Sequence, residues 1–557
     1  MKKLNVKNSK YPSRLFLKII FYIVFYYSSI LLYLTYDIVQ SPDFEKYYNY
    51  FIYYSGDINK TYLEQGHFYY YLNYIFSLIF YNLKSSLTLN EIFNLSIHLT
   101  NSLIFLFGCK GLVKYISLDK NSFKNIYIVL TVICILPSSI VLRSTFKPEI
   151  LAFASLGWLA YFIRTYSSKK QLLDAMKFGI LFSIVITSKI SIGLIIGFIL
   201  ILEILLNHQE ILSKKLLLPL MFIFIFTSAL SIENYLNNGL FITQTKHDQK
   251  YDNTASFEFF KNFDSSNFIN NPNKYFYYDS FFGIIMFDTF NDFFGLYWNS
   301  EYTELNNSRK EFIRVIKKDN PIFPVGVVFD KANFIFTISG DADERWKDEK
   351  SIDELRMRSS FYLSIIFYLL VLLFSIFNKN KRIYIISPLI GIVFLVFSSL
   401  GIFGTNNFDP LTGDSFKSFY IGFLVIFSFS LIFYELLSKN YFKKSILFIT
   451  PILFLFYLGF PMDYDNQDEI NIIYKNSLLS TCIINGPIVN GLLNIEKNLN
   501  CNEITDYKEI FYPITTVDNI QLKVANVPYL HFLTILILFI FRIIPSKLFI
   551  TNKNLKL

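Results

Sequence analysis

Ionisable side chains are scarce in this chain. Of its 557 residues 17% are charged and 53% hydrophobic, where an average soluble protein has about 25% charged and about 45 to 50% apolar. That balance excludes an ordinary water-soluble domain. There is no glycine-rich phosphate loop, no His/Cys metal set and no Ser/His/Asp arrangement, so nothing suggests ATP hydrolysis. No internal repeat is visible, which disfavours many transporter folds. The N-terminus has no small-residue cleavage site after its first apolar run, so residues 15–36 read as a retained span. The net charge of +9 comes from lysines clustered beside apolar runs, where they set membrane orientation. Nucleic acid is not an expected partner.

What the chain does have is repeated Ile, Leu and Phe runs near the length of about 20 residues that crosses hydrocarbon. The expected fold is an all-α polytopic membrane protein of about twelve spans with both termini cytoplasmic. Lys2, Lys3, Lys7, Lys10 and Arg14 precede the first span and belong inside, which puts the loop after Tyr36 outside. Residues 66–83, crowded with Phe68, Tyr69, Tyr70, Tyr71 and Tyr74, suit an interfacial helix lying flat. Spans follow at 92–112, 126–142 and 150–163. Residues 178–206 are long for one span, and two thin helices hinged at Lys189 put the later lysines inside. The remaining spans fall at 216–232, 361–377, 383–403, 419–437, 446–460 and 530–544.

The chain thus divides into a membrane module at 1–232, an extracytoplasmic loop at 233–360, further spans at 361–460, a second extracytoplasmic segment at 461–526 and a last span with tail at 527–557. The first outer segment carries an aromatic cluster from Asp288 to Trp298. The second holds Cys482 and Cys501 on the side where oxidation is permitted. A disulfide there closes a loop of about 20 residues and contributes roughly 3 kcal/mol; two unpaired thiols are the alternative. Cys109 and Cys134 read as packing residues.

The residues suited to chemistry gather at the outer rim. Asp43 and Glu45 follow the first span, where an ionised carboxylate has both water and lipid at hand and can act as a general base. A solvated loop acid paired with Lys46 is the plainer reading. Arg143 and Lys147 flank the turn leading to Glu149, and Lys189 sits at the thin-helix hinge. Three cations on that side ask for an anion, and phosphate is the one membranes supply; snorkelling anchors are the alternative. His67 opens the interfacial helix and suits phosphate or sugar binding, or simply an interface position. His98, Asn94, Thr100 and Asn101 can line a polar groove or bond helix to helix.

Pro42-Asp43-Phe44-Glu45 with Tyr47, the helix from Gly66, Lys147-Pro148-Glu149 and Ser188-Lys189 together resemble the C-type (GT-C) membrane glycosyltransferases, in the aminoarabinose transferase and protein O-mannosyltransferase branch. The resemblance covers about the first 230 residues. It implies sugar transfer from a polyprenyl-phosphate donor to a glycan, lipid or protein acceptor at the extracytoplasmic face. Asp43 would serve as the base or orienting acid, Glu149 as a supporting acid and Lys189 as a contact to the donor phosphate. No cofactor is required, though Asp43 with Glu45 could hold a divalent cation. Two departures stand out: the motif's second acid is displaced to Glu45, and Glu64-Gln65-Gly66 occupies the place of an expected basic residue.

Asp43 to Tyr47, with Glu64 to Tyr69, is also similar to exopolysaccharide and O-antigen polymerases, the second expectation. A flippase for lipid-linked sugars, the third, predicts mid-span charges and internal symmetry.

Overall fold

The computed structural model describes residues 14–35, 38, 42–57, 65–83, 86–119, 123–166, 172–208, 216–238, 260–261, 281–290, 302–304, 310–313, 326–330, 335–339, 352–400, 418–438, 522–523 and 525–540. The expected span at 446–460 and the Cys482/Cys501 pair lie outside the described residues. Within them the chain is predominantly helical, and six helices are long and apolar enough to cross a membrane, or seven with a bent pair counted as one span. This is a membrane protein by that measure.

The first half comprises α1 (Arg14–Thr35), α2 (Pro42–Ser55), α3 (His67–Leu83), α4 (Leu89–Ile116), α5 (Phe123–Cys134), α6 (Pro137–Ser144), α7 (Glu149–Tyr166), α8 (Leu172–Ser188), α9 (Ile190–Asn207) and α10 (Leu217–Asn238). After these come α11 (Phe281–Asp288), α12 (Ile352–Phe377), α13 (Arg382–Ser399), α14 (Gly422–Ser438) and α15 (Tyr529–Ile540).

Local chemistry sets several boundaries. Pro42 opens α2 and Pro137 opens α6, positions where a missing N–H costs nothing. Pro137 also follows the break after α5, and the two helices bend by 60° there. Thr88 and Glu91 form a reciprocal capping box that starts α4. Lys189 is extended, with φ −155° and ψ 112°, which ends α8 and begins α9.

Side-chain pairings give the helix directions. Ile38 N–H donates to Asn94 and Tyr33 packs on His98, so α4 runs antiparallel to α1. Phe105 stacks on Phe153 and Gly111 meets Trp158, so α7 runs parallel to α4. The α4–α7 backbones touch closely: a Cβ on Gly157 would lie 2.6 Å from Leu112 N. Gly193 faces Ile186 and Gly197 faces Phe182, so α8 and α9 form a tight antiparallel hairpin that reverses at Lys189. Gly179 meets Phe222 while Ser183 bonds Thr227, so α10 again runs parallel to α8. The long apolar run is therefore two helices, as its length suggests.

The same pairings place both ends of α3 at one end of the bundle. α4 begins beside the end of α1. α3 folds back along the first half of α4, with Ser77 Oγ 2.6 Å from Ser96 Oγ and Tyr69 bonding Asn101 at 2.8 Å. Its buried tyrosines hold it there, with Tyr71 and Tyr74 packed on α2 and Tyr69 bonded to α4.

One departure from an all-α fold lies in the 233–360 segment. Four short antiparallel strands, β1 (Tyr302–Glu304), β2 (Lys310–Ile313), β3 (Gly326–Asp330) and β4 (Ile335–Ser339), pair in chain order, with Phe312 opposite Val328 and Phe329 opposite Phe336. In the same segment α11 joins the bundle, since Ser138 donates to the Thr289 carbonyl at 2.8 Å and the Thr289 and Tyr368 hydroxyls lie 3.0 Å apart.

Candidate functional site

At the bundle end that holds the α8–α9 reversal, a small set of polar groups converges. Glu149 is the first residue of α7, where a carboxylate is favoured by the helix dipole. Its side chain is 0% exposed, and its Oε1 lies 2.5 Å from Lys189 Nζ. The Lys189 side chain is 21% exposed, and its ammonium also sits 4.4 Å from the centre of the Tyr420 ring. Glu149 Oε2 has no hydrogen-bond partner among the described residues. A buried carboxylate oxygen left open is costly unless something donates to it. This pair is thus the most chemically pointed feature of the rim.

The floor beneath it is built from α2 and α3. Gly66 N–H donates to Ser188 O at 3.0 Å, and a Cβ on Gly66 would lie 2.2 Å from Thr187 O. Only glycine lets the two backbones meet there. The neighbouring Gln65 is buried and fully engaged: its Nε2 donates to Tyr47 Oη at 2.8 Å, its Oε1 accepts from Tyr70 at 2.5 Å, and its backbone N–H and C=O both bond Tyr50. Burial holds the Tyr70 phenol protonated well above its ordinary range, and the Glu149 carboxylate adds to the effect.

Asp43 and Glu45 lie in the first turn of α2. Phe44, between them, packs its ring 5.5 Å from that of Phe146. Since Phe146 is followed by Lys147, Pro148 and Glu149, that turn of α2 and the 145–149 loop are neighbours. Asn101 on α4 pins the loop through 2.9 Å bonds to the Arg143 and Thr145 carbonyls. Asn101 thus ties α4 to the end of α6 and the loop after it, and Asn94 ties α4 to the backbone that follows α1.

Arg143 does not join Lys189 in this way. Arg143 turns into the bundle, where its guanidinium donates to Ser28 and Ser29 of α1 and to the Cys134 carbonyl at 3.0, 2.5 and 3.3 Å, with the Phe25 and Phe105 rings each 5.2 Å away. Its reach is absorbed by the bend after α5, whose free carbonyl needs a donor. Lys147 is also buried.

His67 is fully buried behind the rim, with Nδ1 2.9 Å from Tyr54 Oη and its ring 5.4 Å from that of His531. Burial, then the charge of His531, pushes its imidazole well below the ordinary histidine range. His531 in turn sits against Glu233, with Nδ1 2.5 Å from Oε2. Glu233 and His531 were not foreseen from the sequence. They lie 298 positions apart in the chain, and neither carries a local motif.

Among the described residues no three His, Cys, Asp or Glu side chains form a metal-holding group. Cys109 and Cys134 are free and buried, in keeping with packing roles. No protein-family model, curated protein or solved structure matches the chain.

Proposed function

We propose that the chain is a membrane glycosyltransferase that moves a sugar from a polyprenyl-phosphate donor to an acceptor hydroxyl of a glycan, lipid or protein. The observation that carries this reading is the buried Glu149–Lys189 pair at the bundle rim, with one carboxylate oxygen open and the ammonium partly exposed. Lys189 supplies positive charge to the donor's phosphate, and Glu149 Oε2 accepts from a hydroxyl or amide of the bound substrates. Asp43, in the helical turn beside the 145–149 loop, is the base.

In the reaction, the acceptor hydroxyl oxygen forms a bond to the anomeric carbon, and the bond from that carbon to the phosphate oxygen breaks, its electron pair leaving on the phosphate. The hydroxyl proton passes to the Asp43 carboxylate. Lys189 stabilises the departing phosphate. The sugar–phosphate bond carries the free energy, so no nucleotide is needed, and Glu45 is the residue that would join Asp43 if a divalent cation took part. The rim faces the extracytoplasmic side on the lysine pattern of the loops.

Arg143 acts in this reading by holding the loop rather than by touching donor, and His67 by supporting α3.

The test is the lipid-linked glycan profile of a deletion strain complemented with Asp43→Asn or Glu149→Gln. Loss of one sugar or decoration is expected with both variants present in the membrane at normal levels. Accumulated single repeat units would mean a polymerase instead, trapped inner-leaflet intermediates a flippase, and an unchanged profile would remove these acids from the chemistry.

A further inference from the structure

The Glu233–His531 pair is built with more care than a chance contact requires. Glu233, near the end of α10, accepts backbone N–H groups of Leu530 and His531 at 2.9 Å each, as well as the His531 ring at 2.5 Å. One carboxylate thus caps the first turn of α15 and fixes one face of the imidazole. Nδ1 is the donor in that bond, so the ring's orientation is set, and it stands edge-on to His67 at 5.4 Å. His531 and His67 are both fully buried.

The chain leading into α15 is docked on the same helices. Ala525 and Asn526 N–H both donate to the Tyr54 carbonyl at 3.2 Å, Asn526 Nδ2 to the Tyr53 carbonyl at 2.8 Å, and Tyr74 Oη to the Lys523 carbonyl at 2.7 Å. Gly56, with φ +82°, leaves room for this: a Cβ there would lie 2.5 Å from Ala525 Cβ. Burial raises the Tyr54 and Tyr71 phenols, with the Glu233 charge a further cause, which places all three in one electrostatic neighbourhood.

His67 is the residue after Gly66, whose N–H meets Ser188 O directly before Lys189. A path of contacts therefore runs from Glu233 through His531 and His67 to the backbone joint that supports Lys189.

We propose that Glu233 and His531 are positioning residues for Lys189: clamped together, they seat α15 against His67 and hold the Gly66–Ser188 joint closed. They touch no substrate. The functional consequence rests on the reading of Lys189 as a phosphate contact, while the structural coupling does not.

The experiment is amide hydrogen exchange on the full-length protein in lipid nanodiscs, followed by mass spectrometry. In His531→Leu, the peptide containing Gly66 is expected to exchange about tenfold faster, with peptides near Asn207 at the opposite end of the bundle unchanged. Glu233→Gln should give the same pattern to a lesser degree. His531→Asn, whose amide can replace the Nδ1 donor, should restore protection, which a merely space-filling histidine would not. Unchanged exchange at Gly66 in His531→Leu and Glu233→Gln would overturn the proposal. So would a uniform increase along the chain, or an Asn variant as unprotected as Leu. Should the joint respond as expected while Lys189→Met still transfers sugar, the coupling stands and the reading of Lys189 falls.

Discussion

Replacing Lys189 by Met removes the ammonium and leaves most of the side chain's length, isolating Glu149 inside the protein. Breaking a buried pair from one side costs about 3 to 5 kcal/mol, since the remaining charge has no partner. Glu149 begins α7, and the helix N-terminus returns about 1 kcal/mol of that. The expected loss is about 2 to 4 kcal/mol. Glu149→Gln is the milder change, because Lys189 is 21% exposed and keeps the Tyr420 ring at 4.4 Å. An ammonium with that much water and a π face loses about 1 kcal/mol. The double variant buries no lone charge and should sit near the milder single, giving a coupling of about 2 to 4 kcal/mol. Thermal unfolding in detergent, read by a thiol-reactive dye that reports exposure of the buried Cys109 and Cys134, measures all three. The expected order of Tm is wild type, then Glu149→Gln and the double variant together, then Lys189→Met. Losses that simply add would refute the claim that these two charges depend on each other.

Gly66→Ala should cost about 1 to 3 kcal/mol, because its Cβ falls 2.2 Å from Thr187 O and one backbone must move; the Tm drop should come with faster amide exchange at Lys189. Arg143→Ala should cost about 3 to 5 kcal/mol by opening a cavity and orphaning the Cys134 carbonyl. The folded fraction should bind polyprenyl phosphate as the wild type does, and a weakened affinity would return Arg143 to the donor site. His67, held below its ordinary pKa, gives a pH signature. As pH falls below about 6.5 the unfolded chain takes up a proton that folded His67 refuses, so stability declines by up to about 1.4 kcal/mol per pH unit. His67→Asn should flatten that part of the Tm profile between pH 7.5 and 5.5, and an equal slope in both proteins would contradict the assignment.

Much of the helical frame was legible because each span announces itself locally. The break at Lys189 follows from a single arithmetic fact, an apolar run too long for one crossing with a lysine near its middle. Glu149 and Lys189 were legible as rim residues for the same reason, since both stand at ends of apolar stretches. Their contact was not, because it depends on which way α7 and the α8–α9 hairpin pack. Arg143 illustrates the converse. Nothing near it in sequence shows that Ser28 and Ser29 wait on α1, so a rim cation and an interior tie look alike. The aromatic run of α3 suggested an interface helix; that its rings pack on α2 and α4 depends on tertiary contacts the run does not reveal. A signal for the small sheet was present in the β-branched and aromatic residues of Gly326–Asp330 and Ile335–Ser339, with Asn333 between them. The Glu233–His531 pair left no such trace, because two lone residues far apart have no period and no spacing.

The most direct test is binding of polyprenyl phosphate to the purified protein by native mass spectrometry, comparing wild type with Lys189→Met and with Lys381→Met, whose ammonium pairs with Glu435 at 2.8 Å away from the rim. A charge-assisted phosphate contact is worth about 1.5 to 3 kcal/mol. Lys189→Met should therefore weaken binding by about tenfold or more while Lys381→Met leaves it intact. Equal affinity in wild type and Lys189→Met would contradict the proposal that this rim receives a lipid-linked phosphate.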